Sequence, residues 1–390
     1  MTPETADTAR GPDRKIRVLF ISDEMEVGGT QRQIVHIAKG LDRNLFEPTV
    51  AYFCNRSFLV DDLEQAGIPA IEIPKRSRVD PAFVVRLARF MRDGRFDMVH
   101  CFSFTGEMWG AVARRFVPAA RRPVLITSVR NKYDWYTPLQ WRIKRWASLE
   151  SSTVVANSRA GGEHARDQMR LDSAAVEVVY NGVANAPPEA LATEPASRGG
   201  APVTAQFVGR LVEQKNVPVL LRAMKRLRDA GVPLRLRLAG DGPLRQAHVE
   251  QATSLGLDDV VEFLGERSDT MMLMAAADFV VLPSLREGLS NVILEAMVVG
   301  RTVVASSVGG SVELVEPMQT GLLFPSDDDA ALADAMRRLV EDRPLRESLG
   351  ARGRQRAVEQ FTIGAMVRTM QDTYLRCLAS KPRSLATRKA

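Results

Sequence analysis

Residues 184–202 read "ANAPPEALATEPASRGGAP", a stretch rich in Pro, Ala and Gly with little that could form a core. Backbone of that composition connects folded units rather than building one, so the stretch reads as an interdomain linker. Its place near the middle of 390 residues suits that reading, because one hydrophobic core rarely serves so long a chain. On its N-terminal side, apolar runs of strand character alternate with segments of helical period: "IRVLFIS" then 29–41, "PTVAYF" then 58–66, "FDMVHCF" then 105–116. The pattern continues through "RPVLITS" and "STVVANS" to "VEVVYNGV". Beyond the linker it restarts with "VTAQFVG", "LRLRLAG", "VVEFLG", "DFVVLPS", "TVVASS" and "GLLFP". Each series is the βαβ signature of a parallel sheet. The expected fold is α/β: two Rossmann-like parallel-sheet domains, 15–185 and 203–360, joined by a linker at 186–202 and facing each other across a cleft. A last amphipathic segment, 361–379, sets Met366, Val367, Met370 and Tyr374 at helical spacing and either caps the second domain or crosses back to the first. Ligands of such sheets bind at the carboxyl ends of the strands, which makes the cleft the expected site.

Hydrophobic residues at 45% and charged residues at 26% are ordinary globular values and exclude extensive disorder away from the ends. A formal charge of +6 and an isoelectric point near 9.4 point to nucleic acid, an anionic membrane surface or phosphorylated small molecules. Cys54, Cys101 and Cys377 have no metal-like spacing, and their odd number argues against a disulfide framework, so a reducing cytosol fits best. The first fourteen residues are polar, with no apolar stretch of signal-peptide length, and no window approaches eighteen uninterrupted apolar residues. The expected location is the cytoplasm, with peripheral attachment at the inner membrane face. The basic tail "ASKPRSLATRKA" is expected to fray.

Three constellations could carry chemistry. In "PSLREGLSNVILEAMVVG", 283–300, a strand passes through a loop bearing Glu287 into a helix capped by Ser290 or Asn291, with Glu295 in its early part. A helix N-terminus favours an anion such as diphosphate, which two glutamates would repel, so the glutamates suit hydroxyl groups of a sugar and a ribose. The residues alone leave open a solvated loop glutamate and an ordinary helical one. In "FVGRLVEQKNVPVLLRAM", 207–224, Gly209 permits a tight turn, and Arg210 and Lys215 flank a loop opening onto a helix that starts near Asn216 or Pro218. Two cations there suit a diphosphate, although solvent-facing charge is the plain alternative. In "ISDEMEVGGTQRQIVHIAKGL", Gly28 and Gly29 separate the first strand from a helix and let backbone approach a ligand, or simply make a turn; there is no G-x-G-x-x-G.

Taken together with "LAGDGPLR", "EFLGER", the E-x7-E spacing of Glu287 and Glu295, and "VGGSVELVE" followed by "TGLLFP", these pieces resemble the retaining GT-B nucleotide-sugar glycosyltransferases of family four (glycosyl transferases group 1). The resemblance covers nearly the whole chain after residue 15 and is strongest over 203–325. It implies that Arg210 and Lys215 hold the donor diphosphate and that Glu295 binds the ribose. Glu287 would contact the transferred sugar near the reacting centre, aided by amides around Gly288, Leu289, Ser290 and Asn291. The base would lie by the turn 264–267, with Gly265 and Arg267, and Gly28 and Gly29 would close on the phosphate from the other domain.

One departure concerns the strand "RPVLITSVRN", where many members end in a histidine facing the acceptor and this chain has Ser128, Val129 and Arg130. Arg130 could steady the departing phosphate or an anionic acceptor, but its pKa makes it a poor base. His100 lies at another strand end and reads as a satisfied core histidine. "PSDDDAALADAM" reads as helix capping and first-turn charge, and no metal site is expected. Trp135, Trp141 and Trp146 fall within "YDWYTPLQWRIKRWASL", interleaved with Lys132, Arg142, Lys144 and Arg145, a mixture suited to an anionic membrane surface or to a core helix with solvated charges. No recognised nucleic-acid module accompanies it, so nucleic acid is not an expected partner.

The expected activity is transfer of a hexosyl or N-acetylhexosaminyl unit, with retention, from a nucleotide diphosphate sugar, UDP-linked, to a hydroxyl acceptor such as a lipid-linked saccharide of polysaccharide or glycolipid synthesis. No cofactor is required beyond the donor substrate. A nucleotide-sugar epimerase of the same fold and a noncatalytic two-domain sugar-binding protein are the alternatives.

Overall fold

Both series of apolar runs form all-parallel sheets in the computed structural model, which describes residues 14–77, 80–195, 197 and 201–380. The chain up to Gly182, together with the chain from Ile363 on, makes one compact unit, and Val183–Thr362 makes the other. The basic tail from 381 on, expected to fray, lies outside the described residues, as do positions 1–13.

The first unit contains β1 (Ile16–Ile21), β2 (Phe46–Tyr52), β3 (Ala70–Glu72), β4 (Met98–Cys101), β5 (Val124–Val129), β6 (Thr153–Ala156) and β7 (Val176–Val178) in the order β3-β2-β1-β4-β5-β6-β7. Neighbouring residues of β1 explain why its sequence is apolar without a break from Val18 to Ile21. Val18 and Phe20 enter one core cluster, with Phe46 and Val50, while Leu19 and Ile21 enter another, with Phe83 and Leu87. Side chains alternate between faces, so a strand covered by helices on both sides must be apolar throughout. The helix Ile363–Ala379 belongs to this unit: Met366, Val367, Met370 and Tyr374 lie in the cluster with Phe20 and Phe46. Met370 is fully buried, which is worth roughly 1.5–3 kcal/mol to the docked helix.

The second unit contains β8 (Val203–Val208), β9 (Leu234–Ala239), β10 (Val261–Gly265), β11 (Phe279–Leu282), β12 (Thr302–Ser306) and β13 (Gly321–Phe324), ordered β10-β9-β8-β11-β12-β13. Strand order therefore reverses between β1 and β4 in the first sheet and between β8 and β11 in the second. At such reversals the connections leave in opposite directions and open a crevice at the carboxyl edge.

Two elements depart from the sequence reading. The edge strand β3 has three residues, with Ile71 and Glu72 exposed, and is too short to show a period. The stretch read as linker holds a short helix, Pro188–Ala192, in which Ala190 is buried. Pro188 at its first position has a backbone angle already suited to a helix and no N–H to leave unpaired. No helix of the described residues is long and apolar enough to cross a membrane.

Candidate functional site

Two loops meet at the carboxyl edge of the second sheet. After β8 the chain runs from Gly209 through a single 3-10 turn, Glu213–Lys215, to Asn216, whose left-handed backbone (φ 47°) redirects it into the helix Val217–Asp229. Asparagine tolerates that conformation better than most residues, and Pro218 fits the helix's first turn. After β11 the chain runs through Pro283–Gly288 to Ser290, whose side chain accepts from the Ile293 N–H and caps the helix Asn291–Val298. The Leu285 N–H donates to the Gln214 carbonyl at 2.8 Å, and the Gln214 side-chain amide donates to the Arg286 carbonyl at 2.8 Å.

These bonds bring Lys215 and Glu287 together. Lys215 Nζ lies 2.5 Å from Glu287 Oε1, which also accepts from Ser284 Oγ at 2.7 Å. The Glu287 side chain is 9% exposed and that of Lys215 16%. Ser284 was not anticipated from sequence. Arg210 stands exposed on the same loop as Lys215, in no salt bridge among the described residues. The crevice thus presents two cations and a carboxylate already neutralised by one of them, a set able to hold an anion beside hydroxyl groups.

A third segment supports Glu287 from behind. Gly310 N–H donates to the Gly288 carbonyl at 2.8 Å, and Gly309 sits against the Glu287 peptide with φ +48°. A Cβ on Gly309 would lie 2.0 Å from the Glu287 carbonyl oxygen. Gly309→Ala is therefore expected to combine backbone strain with a clash, at a cost of about 2 kcal/mol or more in urea unfolding. Gly256→Ala, at φ +68° in open space, isolates the strain alone and should cost less. Equal losses would mean that the 309 contact gives way freely. The paired glycines in "VGGSVELVE" are the sequence signal for this support.

The other positions named from sequence in this unit lie at the end of β10 and on elements that follow β10 and β11. Glu295 is half-buried in the helix Asn291–Val298, while Gly288, Leu289 and Ser290 are buried and Asn291 is half-buried. Gly265, with φ +71°, ends β10, two strands from β8 and so roughly 10 Å across the sheet. Arg267 is exposed and paired with both oxygens of Asp269 at 2.8 and 2.7 Å. Of the aspartates at 327–329, Asp328 caps the helix Asp329–Glu341. Among the described residues, no three side chains of metal-ligating type are gathered.

In the first unit, Gly28 caps the helix Gly29–Gly40 with no side-chain cap bond, and Gln31 Oε1 lies 2.5 Å from where a Gly28 Cβ would stand. Arg130, just past β5, is 8% exposed; Nη2 donates to Asn181 Oδ1 at 2.9 Å, and the guanidinium lies 5.6 Å from the Phe102 ring centre. Burial lowers its pKa to about 10, so it remains a cation at neutral pH. His100 bonds Tyr374 Oη at 2.7 Å and Ser128 Oγ at 2.8 Å, is fully buried, and is held neutral by that burial and by Arg130. Asp23, at the end of β1, is half-buried beside Ser103, and burial raises its carboxyl pKa; the sequence reading passed over it.

The tryptophan segment needs correction. Lys144 is not surface charge: Nζ donates to both oxygens of Glu107 at 2.8 and 2.6 Å and to the Ser128 carbonyl at 2.9 Å, and both side chains are 1% exposed. Trp146 packs on the core beneath the Arg115 guanidinium, and Trp141 meets Tyr136 edge-on at 5.4 Å. Trp135 precedes the helix Pro138–Leu149 and is 47% exposed. An even row of tryptophan and cations is therefore absent from this helix, because its period turns Lys144 inward.

Comparison with known proteins places matches on both units. The model of glycosyl transferases group 1 matches residues 202–342, and that of glycosyltransferase family 4 matches residues 27–185. The D-inositol 3-phosphate glycosyltransferase of Salinispora arenicola is 30% identical over 342 residues, covering 80% of this chain and 76% of that protein. The lipopolysaccharide core biosynthesis glycosyltransferase LpsE of Rhizobium meliloti is 38% identical over 182 residues, 47% of this chain and 51% of that protein. Among solved structures, Anabaena HepE in complex with UDP and glucose superposes with a TM-score of 0.81 at 23% identity, over 93% of this chain and all of that one. Sucrose-phosphate synthase from Thermosynechococcus elongatus gives 0.76 at 20% identity, over 94% of this chain and 100% of that one.

Proposed function

The chain belongs to glycosyltransferase family four (glycosyl transferases group 1) and has the GT-B fold, and on that premise we propose that it transfers a hexosyl or N-acetylhexosaminyl unit from a UDP-sugar to a hydroxyl acceptor with retention of anomeric configuration. The observation that carries this reading is the Lys215–Glu287 pair at the β8/β11 crevice, with Arg210 exposed beside it. Lys215 and Arg210 take the diphosphate, Glu287 the sugar hydroxyls and Glu295 the ribose. The base lies toward Gly265 and Arg267; the two-strand offset from β8 is of the order a nucleoside needs. UDP is favoured by the likeness to HepE, solved with UDP and glucose.

In this mechanism the bond from the anomeric carbon to the diphosphate breaks while the acceptor oxygen bonds to the same face. The acceptor's proton passes to the departing phosphate oxygen, so no protein base is needed. Negative charge grows on the diphosphate as the bond breaks, and cations fixed in advance stabilise that change. Within the first unit, the buried Arg130 cation suits an anionic group and the helix start at Gly28–Gly29 suits phosphate. The curated relatives bear different names, a D-inositol 3-phosphate glycosyltransferase and a lipopolysaccharide core biosynthesis glycosyltransferase, so the likeness to them does not single out an acceptor.

Calorimetry and thermal shift against UDP, GDP and ADP test the donor assignment. UDP is expected to stabilise the protein, by about 2.7 kcal/mol at a hundred times its Kd. Arg210→Ala, on an exposed side chain, is expected to weaken UDP about tenfold with little change in unliganded stability. Stabilisation by none of the nucleotides would sink the assignment. Product NMR then reads the anomeric configuration.

A further inference from the structure

The first unit holds a second polar cavity that none of the assignments above uses. It has a volume of about 750 Å³ and lies between the helices Pro138–Leu149 and Arg159–Met169. Arg142 and Arg145, three residues apart on one helix, face it, and Arg170 reaches it from the end of the other. Tyr136 and Trp141 supply ring surface, and His164 stands 5.8 Å from the Trp141 ring.

Several arginines of this protein are held by carboxylates. Arg56, Arg226 and Arg228 each pair with an aspartate. Among the described residues, Arg142, Arg145 and Arg170 form no salt bridge, and Arg145 Nε donates to the Met169 carbonyl at 2.8 Å. The carboxylate in the lining, Asp134, lies 3.5 Å from His164 and 3.6 Å from Lys132. Three guanidiniums beside one lining carboxylate, itself paired with His164 and Lys132, leave an excess of positive charge that an anion relieves. Arg170 ends its helix in a left-handed conformation (φ 52°).

From this we infer that the cavity binds a phosphate-bearing saccharide, the anionic part of the acceptor, whether free or carried on a lipid. Guanidiniums match phosphate geometry bidentately, and the Trp141 and Tyr136 rings form the apolar wall against which the C–H face of a sugar packs. The inference rests on the glycosyltransferase reading and names its acceptor class.

The test uses the full chain and D-glucose 6-phosphate as probe, with D-glucose, inorganic phosphate and vesicles of phosphatidylglycerol in phosphatidylcholine as separate arms. Calorimetry is expected to show the sugar phosphate binding at least about tenfold more tightly than either glucose or phosphate. In Arg142→Glu/Arg170→Glu, both exposed positions, that preference should vanish while the thermal shift with UDP stays unchanged. Loss of the UDP shift in the wild type would indict the donor reading instead. Binding of glucose 6-phosphate that is absent, equalled by inorganic phosphate, or indifferent to the double substitution overturns the inference. Vesicle binding that the double substitution abolishes, without sugar-phosphate binding, overturns it in favour of a membrane surface.

Discussion

Lys215→Ala is expected to weaken UDP at least about tenfold and to lower turnover by roughly 10²–10³-fold. Two effects add. Diphosphate charge that develops during transfer loses a fixed cation, which lowers kcat as well as affinity. Glu287, with its side chain 9% exposed, keeps Ser284 as a hydrogen-bond partner but loses its counter-charge, so its carboxylate then repels the diphosphate. Glu287→Gln separates these effects. It keeps the bond to Ser284 and the side-chain volume, removes the repulsion, and is expected to leave UDP binding intact while sugar transfer falls by at least about a hundredfold. UDP calorimetry, a rate of UDP release from the sugar donor, and a thermal melt of each unliganded variant measure the three quantities. Full turnover in both variants would reduce the pair to a structural bridge between two loops.

The largest stability effect is expected in the first unit. Glu107 and Lys144 clasp the Ser128 peptide: Glu107 Oε1 accepts the Ser128 N–H at 3.0 Å while Lys144 Nζ donates to the Ser128 carbonyl at 2.9 Å. Burial pushes the Glu107 carboxyl upward in pKa, and Lys144 pulls against that shift. Lys144→Ala leaves a buried carboxylate without its cation and is expected to cost about 3–5 kcal/mol in urea unfolding. Replacing both members, by Glu107→Leu and Lys144→Met, removes the stranded charge and should recover part of that loss, because the Ser128 N–H and carbonyl still lose these partners. Ser128 is two residues before Arg130, so the double variant is also expected to loosen Arg130 and impair transfer while UDP binding at the other unit persists. A loss under about 1 kcal/mol for Lys144→Ala would mean that water reaches the pair.

The strands were legible because a sheet covered on both faces demands apolar runs, which β11 shows throughout and β1 from Val18 on, while β5 admits Thr127 and Ser128. The strand β3 was not, since three residues at an edge carry neither period nor composition. Lys144 was misread for a related reason: tryptophan and basic residues on a helix look amphipathic until one knows which face meets the core. Ser284 and Asp23 had no motif to announce them; each matters through a neighbour reached by folding.

Sequence by itself determined that this chain makes two parallel α/β sheets and that Arg210, Lys215, Glu287 and Glu295 sit at strand ends or helix starts, because local periodicity and turn chemistry are written within a few residues. Tertiary structure decided which of them meet. Lys215 and Glu287 are 72 positions apart, and they touch because β8 and β11 are neighbours where the strand order reverses. It also decided that Lys144 finds Glu107 in the interior while Arg142, two residues earlier, stays on the surface. Pairing of charges depends on which elements pack side by side, and burial sets whether a pair must form, neither of which a single segment can specify.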